Sequence, residues 1–513
     1  MIKKTEVQEA TEGHCADLVT VLSLGMRVVE FMDRYKFESC KPQDVGISEQ
    51  WIRRFLQIIK EKKICMHSML MMHKGKVIFE EYASPYTKDS LQRMYSVSKS
   101  FTALAVGILA DDHIISLDDK IVDYFPDMVD ESCHPYIKET TIRQLLTMSG
   151  PFGTLKGFNR DNSQWTKSYF QKKPDYPSGT LFYYDTSGTR VLTAMVERLV
   201  HKNLMDFLKD RVFRELGFSE NAWCIKTPDG FSHGGSGVIA SLRDIALFGL
   251  LLMGNGAVNG KRYVSEAFVK AAVTPQVFNN YESMGLRTHK GYGYQIWCME
   301  QGFALKGMGS QQVICVPEKD FLFCCTADTQ GNRIYYEGLY DYLFFEIIDK
   351  IAPVKAEYTD FSIGFEPIDG RKSSKIQERI NGVTYQMDEN TMGISAVRLS
   401  LGEDVSFLSL QTPRGEKVLK FGMGTYLEST FPETHYSGDV FTEPANREYR
   451  CTGCGAWVSE HQFAIRTYII DDYLGNLTVT LGFKGDQLGL RMCKNAENFL
   501  NEYEGCAGGT AVV

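Results

Sequence analysis

The residues best suited to chemistry are a serine and a lysine three positions apart, Ser96 and Lys99. They open a small, apolar stretch, 96–111, that predicts a buried helix. A spacing of three on a helix puts a hydroxyl and an amine on one face, within hydrogen-bonding reach. Burial and nearby positive charge lower the pKa of a lysine from about 10.4, so that its amine can take a proton from the serine. The pair therefore predicts a serine nucleophile with a lysine base.

The same four-residue motif also occurs by chance in chains of this length. The surroundings of Lys99 favour the catalytic interpretation, because the helix is otherwise built from residues such as Phe101, Leu104 and Ile108. Burying a charged amine among apolar side chains is costly unless the amine has a role there. The helix N-terminus also favours the negative charge that develops on an attacked carbonyl.

The spacing of apolar residues predicts the helices and strands that must position Ser96 and Lys99. A helix is expected behind the N-cap Ser48, followed by a hairpin in which Gly75 supplies a positive φ at the turn. The hairpin strands are 68–72 and 77–82, further helices are expected at 141–148, 188–201 and 242–253, and further strands at 312–316 and 321–326. We therefore predict an α/β (α+β) domain whose sheet combines strands from both ends of its sequence.

A second, β-rich domain is expected after a linker at 351–355, where Pro353 ends a helix. Alternating apolar runs follow at 396–401, 405–410, 463–470, 477–483 and 488–492, as in a meander or small barrel. The predicted division is an N-terminal extension at 1–40 with a possible short helix at 18–35, a catalytic domain at 41–355 and a β-rich domain at 356–513.

Several segments, in order, resemble those of one hydrolase family. The stretch 95–102 around Ser96 is similar to its nucleophile signature, 71–82 to its opening hairpin, and 117–126 and 141–150 to two further segments. The chain thus resembles the serine β-lactamase and penicillin-binding-protein-like hydrolases, in particular class C-related esterases, D-peptidases and 6-aminohexanoate-dimer-hydrolase-like amidases. The resemblance implies a β-lactamase/transpeptidase-like fold, an antiparallel sheet flanked by helices. Some relatives carry a lipocalin-like barrel where the β-rich domain lies here.

The family's second motif, Tyr-x-Asn, is matched by the stretch 177–186. This alignment makes Tyr184 the catalytic tyrosine and puts Thr186 where asparagine is commonest; Tyr183 is the rival tyrosine. A threonine can donate a hydrogen bond to Lys99 or to substrate, but it lacks the paired donor and acceptor of an amide. This departure counts against β-lactam hydrolysis and resembles the 6-aminohexanoate-dimer hydrolases.

The family's third motif, Lys-Thr-Gly or His-x-Gly, is not intact. The residues matched to it as candidates for substrate or oxyanion binding are Lys306, Gly307, Gly309, Ser310 and Gln311. Lys306 could bind a substrate carboxylate, and a solvated surface lysine is the alternative. A further segment, 233–246, is similar to a Gly-Gly loop before a capped helix, where a structural role is expected and where His233 could line the cleft.

Composition and absent motifs exclude other functions. The formal net charge is -8 and no long basic run is present, so a nucleic-acid partner is not expected. Thirteen cysteines without regular spacing indicate reduced thiols, and no membrane span is apparent, so we expect a soluble, cytoplasmic protein without membrane partners. Cys451 and Cys454 form a single Cys-x-x-Cys, which we interpret as two free thiols in a β turn, and neither a metal nor another cofactor is expected.

The combined expectation is a serine hydrolase that acts through an acyl-enzyme on a small ester, amide or peptide. Two alternatives stay open: a penicillin-sensor-like module that acylates without turnover, and a catalytically idle scaffold. The fold does not choose among these substrates, and oligomer formation is left open.

Overall fold

The computed structural model describes residues 35–152, 163–279, 290–330, 333–351, 364–434, 448–471, 474–496 and 502–512. The helix expected at 18–35 and the linker around Pro353 lie outside these residues, apart from the end residues Tyr35 and Ile351. Among the described helices, none combines the length and apolar character needed to cross a membrane.

The first part of the chain is built on an antiparallel sheet. The described strands before residue 330 are β1 (Met66–His73), β2 (Lys76–Tyr82), β3 (Gln92–Arg93), β4 (Trp223–Cys224), β5 (Val238–Ala240), β6 (Ala257–Val258), β7 (Lys261–Arg262), β8 (Gly291–Tyr292), β9 (Trp297–Cys298), β10 (Phe303–Gly307), β11 (Gln311–Val316) and β12 (Phe321–Ala327). Seven of them form the main sheet in the order β2-β1-β12-β11-β10-β9-β8. The sheet joins strands from both ends of the predicted catalytic domain, as the sequence predicts.

Helices cover both faces of this sheet. The α-helices described before residue 351 are α1 (Glu49–Glu61), α2 (Ser98–Asp111), α3 (Pro135–Lys138), α4 (Ile142–Leu146), α5 (Trp165–Phe170), α6 (Thr186–Val200), α7 (Leu204–Leu208), α8 (Arg214–Leu216), α9 (Leu242–Met253), α10 (Glu266–Val273) and α11 (Arg333–Glu346). One face packs on a large core that includes α2, α6 and α9, and the other on α1 and α11. Because both faces are covered, the central strands read as continuous apolar runs.

Local sequence signals explain several of these elements. The β1–β2 hairpin turns at Lys74 and Gly75, which both have positive φ, as a tight hairpin turn requires. A capping box between Thr141 and Gln144 starts α4. Helix α6 begins at Thr186, two residues earlier than predicted, because Asp185 caps it by accepting from the backbone N–H of Ser187.

The C-terminal part is a closed barrel. After α12 (Gln377–Ile380), its strands are β13 (Thr384–Met387), β14 (Ala396–Ser400), β15 (Val405–Thr412), β16 (Gly415–Met423), β17 (Leu427–Thr430), β18 (Arg450–Trp457), β19 (Gln462–Ile470), β20 (Leu474–Lys484), β21 (Gln487–Ala496) and β22 (Gly505–Ala511). The order is β16-β15-β14-β13-β22-β21-β20-β19-β18, and parallel pairing of β16 with β18 closes a ring of nine strands. All five predicted strand runs lie in this barrel.

One expectation for the barrel is wrong. Cys451 and Cys454 do not lie in a turn but inside β18, where both are buried. Residues three apart on a strand point to opposite faces, so the two thiols do not form a site together. Among the residues that the structure describes, no group of histidine, cysteine, aspartate and glutamate could hold a metal ion.

The outer face of the barrel packs against the segment that leads to Tyr184. Gln462, Gly482, Gly489 and Gly508 face one another in register across β19 to β22. Residues 176–180 lie on this row so closely that a Cβ added to Gly482 would stand 1.8 Å from the carbonyl oxygen of Thr180. The missing side chains therefore allow two backbones to touch.

We predict that Gly482→Val destabilises the protein by about 1–3 kcal/mol, because the new side chain must push the Thr180 backbone away. The free energy of unfolding in urea measures this effect. Gly364→Val is the matched control, since nothing lies within 4 Å of a Cβ at Gly364. An unchanged free energy for Gly482→Val would contradict the close packing.

Candidate active site

Ser96 lies in a strained turn directly before α2. The 3₁₀ turn Tyr95–Val97 runs into the helix, and Tyr95 has a φ of 47°, which is unfavourable for a tyrosine. The turn is anchored on its upstream side, where the N–H of Met94 donates to the carbonyl of Val238 at 2.8 Å. Strain of this kind persists only where the surroundings enforce it, and it is common at functional sites.

Lys99 is buried, with 1% of its surface exposed. Its Nζ lies 3.3 Å from Ser96 Oγ and donates to the carbonyl oxygen of Gly235 at 2.7 Å. Burial lowers the pKa of Lys99 to about 7; the charge of Asp185 raises this pKa and that of Arg190 lowers it further. The amine is therefore able to exchange a proton with the serine near neutral pH.

Tyr184 completes the group around the serine. Its phenol lies near enough to Ser96 for the serine to lower the tyrosine pKa, and Lys99 Nζ lies 5.0 Å from the centre of its ring. The ring stacks on Trp297 with centroids 5.3 Å apart and meets Tyr292 edge-on. Burial raises the pKa of Tyr184 to about 12, an effect that the nearby Ser96 hydroxyl partly offsets. Between about pH 7 and pH 12, the Tyr184 hydroxyl therefore stays protonated while the Lys99 amine is mostly neutral.

The rival tyrosine has different neighbours. The Tyr183 ring stacks on Phe152 with centroids 3.5 Å apart, and the guanidinium of Arg491 in the barrel lies 5.3 Å from its centroid. Adjacent residues in an extended segment point in opposite directions. Of the two tyrosines, the structure therefore brings Tyr184 to Ser96.

Thr186 is the first residue of α6 and is partly exposed. Its methyl group packs near Gly235, where a Cβ would stand 2.6 Å from it. In the described part of the chain no hydrogen bond links Thr186 to Lys99. The preceding residue, Asp185, forms an ion pair at 3.0 Å with Lys172, whose side chain is 2% exposed.

The third predicted motif is only partly at the site. Gly307, at the end of β10, lies against the nucleophile turn, since a Cβ there would stand 2.3 Å from the carbonyl oxygen of Met94. After Gly309, with a φ of 78°, the side chains of Ser310 and Gln311 turn away: Ser310 Oγ bonds to Thr329, and Gln311 Nε2 donates to the carbonyl of Ala327. These two side chains serve the turn between β10 and β11.

Lys306 is not a solvated surface lysine, which corrects that alternative. It is 5% exposed, with its Nζ 5.1 Å from the ring centre of Trp297 and 5.3 Å from that of Tyr340. Trp297 thus has Tyr184 stacked on it and the Lys306 amine over its ring.

Several residues around the site escaped the sequence interpretation. The carbonyl of Gly235 holds Lys99, and Asp185 and Arg190 set its charge environment. His233, which the sequence names as a possible cleft residue, is partly buried edge-on to Trp165, and burial together with Arg190 and Lys99 lowers its pKa to about 4. The one signal available was the glycine doublet 234–235, whose backbone approaches both α2 and α6.

A cavity of the described residues lies away from Ser96. It has a volume of about 520 Å³ and lies between the edge of the first sheet and the barrel, with Val277, Met299, Asp369 and Trp457 in its wall. The candidate site is therefore defined by the hydrogen bonds and burial around Ser96 and not by cavity size.

We predict that Lys99→Met stabilises the protein at pH 6. Because the pKa of Lys99 is lowered on folding, the unfolded chain binds more protons, and the cost of burying the protonated amine is fully present below about pH 7. Each pKa unit is worth about 1.4 kcal/mol, so the gain is on the order of a few kcal/mol. It should shrink as the pH rises toward 10.

Unfolding free energies from pH 6 to 10 test this prediction, with Lys60→Met on the exposed face of α1 as control. The control should follow the wild type at every pH. A Lys99→Met variant whose stability difference does not change with pH would contradict the lowered pKa.

The family described as Beta-lactamase matches residues 52–333, more than half of the chain. A 6-aminohexanoate-dimer hydrolase from Paenarthrobacter ureafaciens is 22% identical over 264 residues, which cover 46% of this chain and 65% of that protein. An uncharacterized protein from Alkalihalophilus pseudofirmus is 23% identical over 239 residues, 41% of this chain and 65% of its own length. The chain thus spans 65% of the length of both relatives.

Among solved structures, the octameric penicillin-binding protein homologue from Pyrococcus abyssi is similar, with a TM-score of 0.47 and 16% identity. The similarity covers 90% of this chain and 99% of that one.

Proposed function

Since the chain belongs to the Beta-lactamase family, we propose that it is a serine hydrolase that cleaves a small ester, amide or peptide through an acyl-enzyme. The observation that carries this proposal is the distance of 3.3 Å between Ser96 Oγ and the buried amine of Lys99, whose pKa is about 7. A lysine poised near neutral pH is what activation of a serine requires.

In the proposed first step, Ser96 Oγ attacks the substrate carbonyl carbon and its proton passes to the neutral Lys99 amine. The Tyr184 hydroxyl then gives its proton to the leaving oxygen or nitrogen, and the protonated Lys99 amine returns a proton to the tyrosine. The C–O or C–N bond breaks, leaving an acyl group on Ser96. Water attacks this ester by the reverse path, which releases the acid and restores all three groups.

The negative charge on the attacked carbonyl oxygen needs main-chain donors. We assign this role to the N–H of Ser96, in the turn directly before α2, and to an amide at the end of β10 beside Gly307. Gly307 supports this assignment because its backbone touches the nucleophile turn. Preorganised amides of this kind contribute several kcal/mol to transition-state stabilisation, about 3–4 per donor.

For the substrate we favour a linear ester or amide over a β-lactam. Thr186 cannot replace an asparagine amide, and its side chain has methyl contact near Gly235. The relative from Paenarthrobacter ureafaciens is named 6-aminohexanoate-dimer hydrolase.

The domain boundaries at 41–355 and 356–513 and a cytoplasmic location also stay predictions.

We predict that a fluorophosphonate labels the protein on Ser96, with Ser96→Ala as the unlabelled control, and that a small activated ester forms an adduct that decays. Intact-protein mass over time measures both events. A persistent ester adduct would indicate a sensor-like module, and absence of any Ser96 adduct would indicate an idle scaffold; either result contradicts the proposed hydrolase.

We predict that kcat/KM rises with pH through about 7 and then stays level to about pH 10, because the Lys99 amine must be neutral and Tyr184 must be protonated. The pH dependence of ester hydrolysis measures this profile. A rate that keeps rising above pH 10 would make Tyr184 the base and contradict the assigned roles.

Tyr184→Phe should lower kcat by about 10²- to 10⁴-fold, the usual contribution of a proton donor.

A further inference from the structure

The segment that carries Tyr184 is fixed by the barrel through polar contacts as well as packing. Gln462, in the glycine row of the barrel, donates from Nε2 to the carbonyl of Thr180 at 2.9 Å. Its Oε1 accepts from the N–H of Phe278 at 3.0 Å. One barrel side chain therefore ties together two segments of the first part of the chain, and both reach the aromatic group around Tyr184.

Arg491 makes the second polar contact. Its Nη1 donates to the carbonyl of Phe182 at 3.0 Å, and its guanidinium lies over the ring of Tyr183. Phe152 stacks on the same ring, with centroids 3.5 Å apart. Arg491 thus holds Phe182 through its carbonyl and Tyr183 through its ring.

These contacts lead directly to the Tyr184 ring. The Phe182 ring packs against Tyr292 and Trp297, at 5.3 and 6.2 Å, and Tyr184 stacks on the same Trp297. On the downstream side, Asp185 caps α6 and pairs with Lys172. Tyr184 is therefore held between an anchor in the first part of the chain and an anchor that the barrel supplies.

We propose that Arg491 and Gln462 are positioning residues, through which the barrel sets the distance from the Tyr184 hydroxyl to Ser96. This inference rests on the proposed role of Tyr184 as proton donor. A displacement of about 1 Å can cost 10²-fold in rate, so loss of either anchor should weaken proton donation more than substrate binding. The barrel is then a part of the active site although it contributes no group to the chemistry.

The test uses two esters that differ in how much they need a proton. The p-nitrophenolate of p-nitrophenyl butyrate leaves as a stable anion, whereas the ethoxide of ethyl butyrate must be protonated as it leaves. The full-length chain is compared with Arg491→Met, Gln462→Leu and Tyr184→Phe. Arg398→Met and Gln411→Leu are matched controls on exposed barrel positions, and melting temperatures accompany every rate.

We expect Arg491→Met and Gln462→Leu to lower kcat/KM for ethyl butyrate, which reports formation of the acyl-enzyme, by about 10-fold or more. The loss in kcat/KM on p-nitrophenyl butyrate should be several-fold smaller, because both esters form the same butyryl-enzyme and differ only in the leaving group. Combining Arg491→Met with Tyr184→Phe should add little to the loss of Tyr184→Phe alone, because both changes remove the same proton transfer. Arg491→Lys, which keeps a charged donor, should recover most of the ethyl butyrate rate even if Arg491→Met folds poorly.

Equal losses on both esters, or rates equal to those of the matched controls, would overturn the inference while leaving the proposed function in place. A Tyr184→Phe variant with wild-type rates, or hydrolysis that persists in Ser96→Ala, would overturn the proposed function itself. The two failures are therefore distinguishable in one set of assays.

Discussion

Burial of the Lys99 amine is the constraint on which the rest of the site depends. An ammonium group inside an apolar core is costly, so the surroundings must keep the amine largely neutral and give its hydrogens an acceptor. Gly235 supplies that acceptor, and the apolar body of α2 supplies the burial. The same two features make the group reactive, because a neutral amine beside a hydroxyl is a base.

Two nearby charges have opposite effects on the pKa of Lys99. Asp185 attracts a proton to Lys99, and a free carboxylate there would hold the amine charged. Its pairing with Lys172 and its cap on α6 occupy both carboxylate oxygens. Arg190 acts in the opposite direction on Lys99. The pKa near 7 is therefore a property of several elements together, and no short stretch of sequence encodes it.

The sequence was sufficient where local rules decide. The β1–β2 hairpin followed from its Gly75 turn, the buried helix from its apolar body, and the β-lactamase/transpeptidase-like fold from ordered motifs, and all three are confirmed. It was insufficient where distant residues decide. Tyr183 and Tyr184 are adjacent and chemically alike, and partners more than 100 positions away, Arg491 for Tyr183 and Trp297 for Tyr184, give the two rings different surroundings.

The errors have the same origin. Cys451-Thr452-Gly453-Cys454 contains residues typical of a turn, yet pairing with β17 and β19 on both sides makes it strand. Lys306 lacks any local sign of burial, and its surroundings come from β9 and α11. In both cases tertiary pairing overrides local preference.

The barrel also constrains the site, through the outer surface that contacts the tyrosine segment. Its inward side chains, among them Trp457, Phe463 and Phe483, pack on one another in a single apolar cluster. A barrel filled in this way offers its outer surface and its ends to the rest of the molecule. On that surface, glycines at 482, 489 and 508 remove the side chains that would keep a second backbone at a distance. Gln462, in the same row, and Arg491 donate hydrogen bonds to the carbonyls of Thr180 and Phe182 in the tyrosine segment. Because this barrel surface fits closely against residues 176–182, it restrains the segment that leads to Tyr184 beside Ser96.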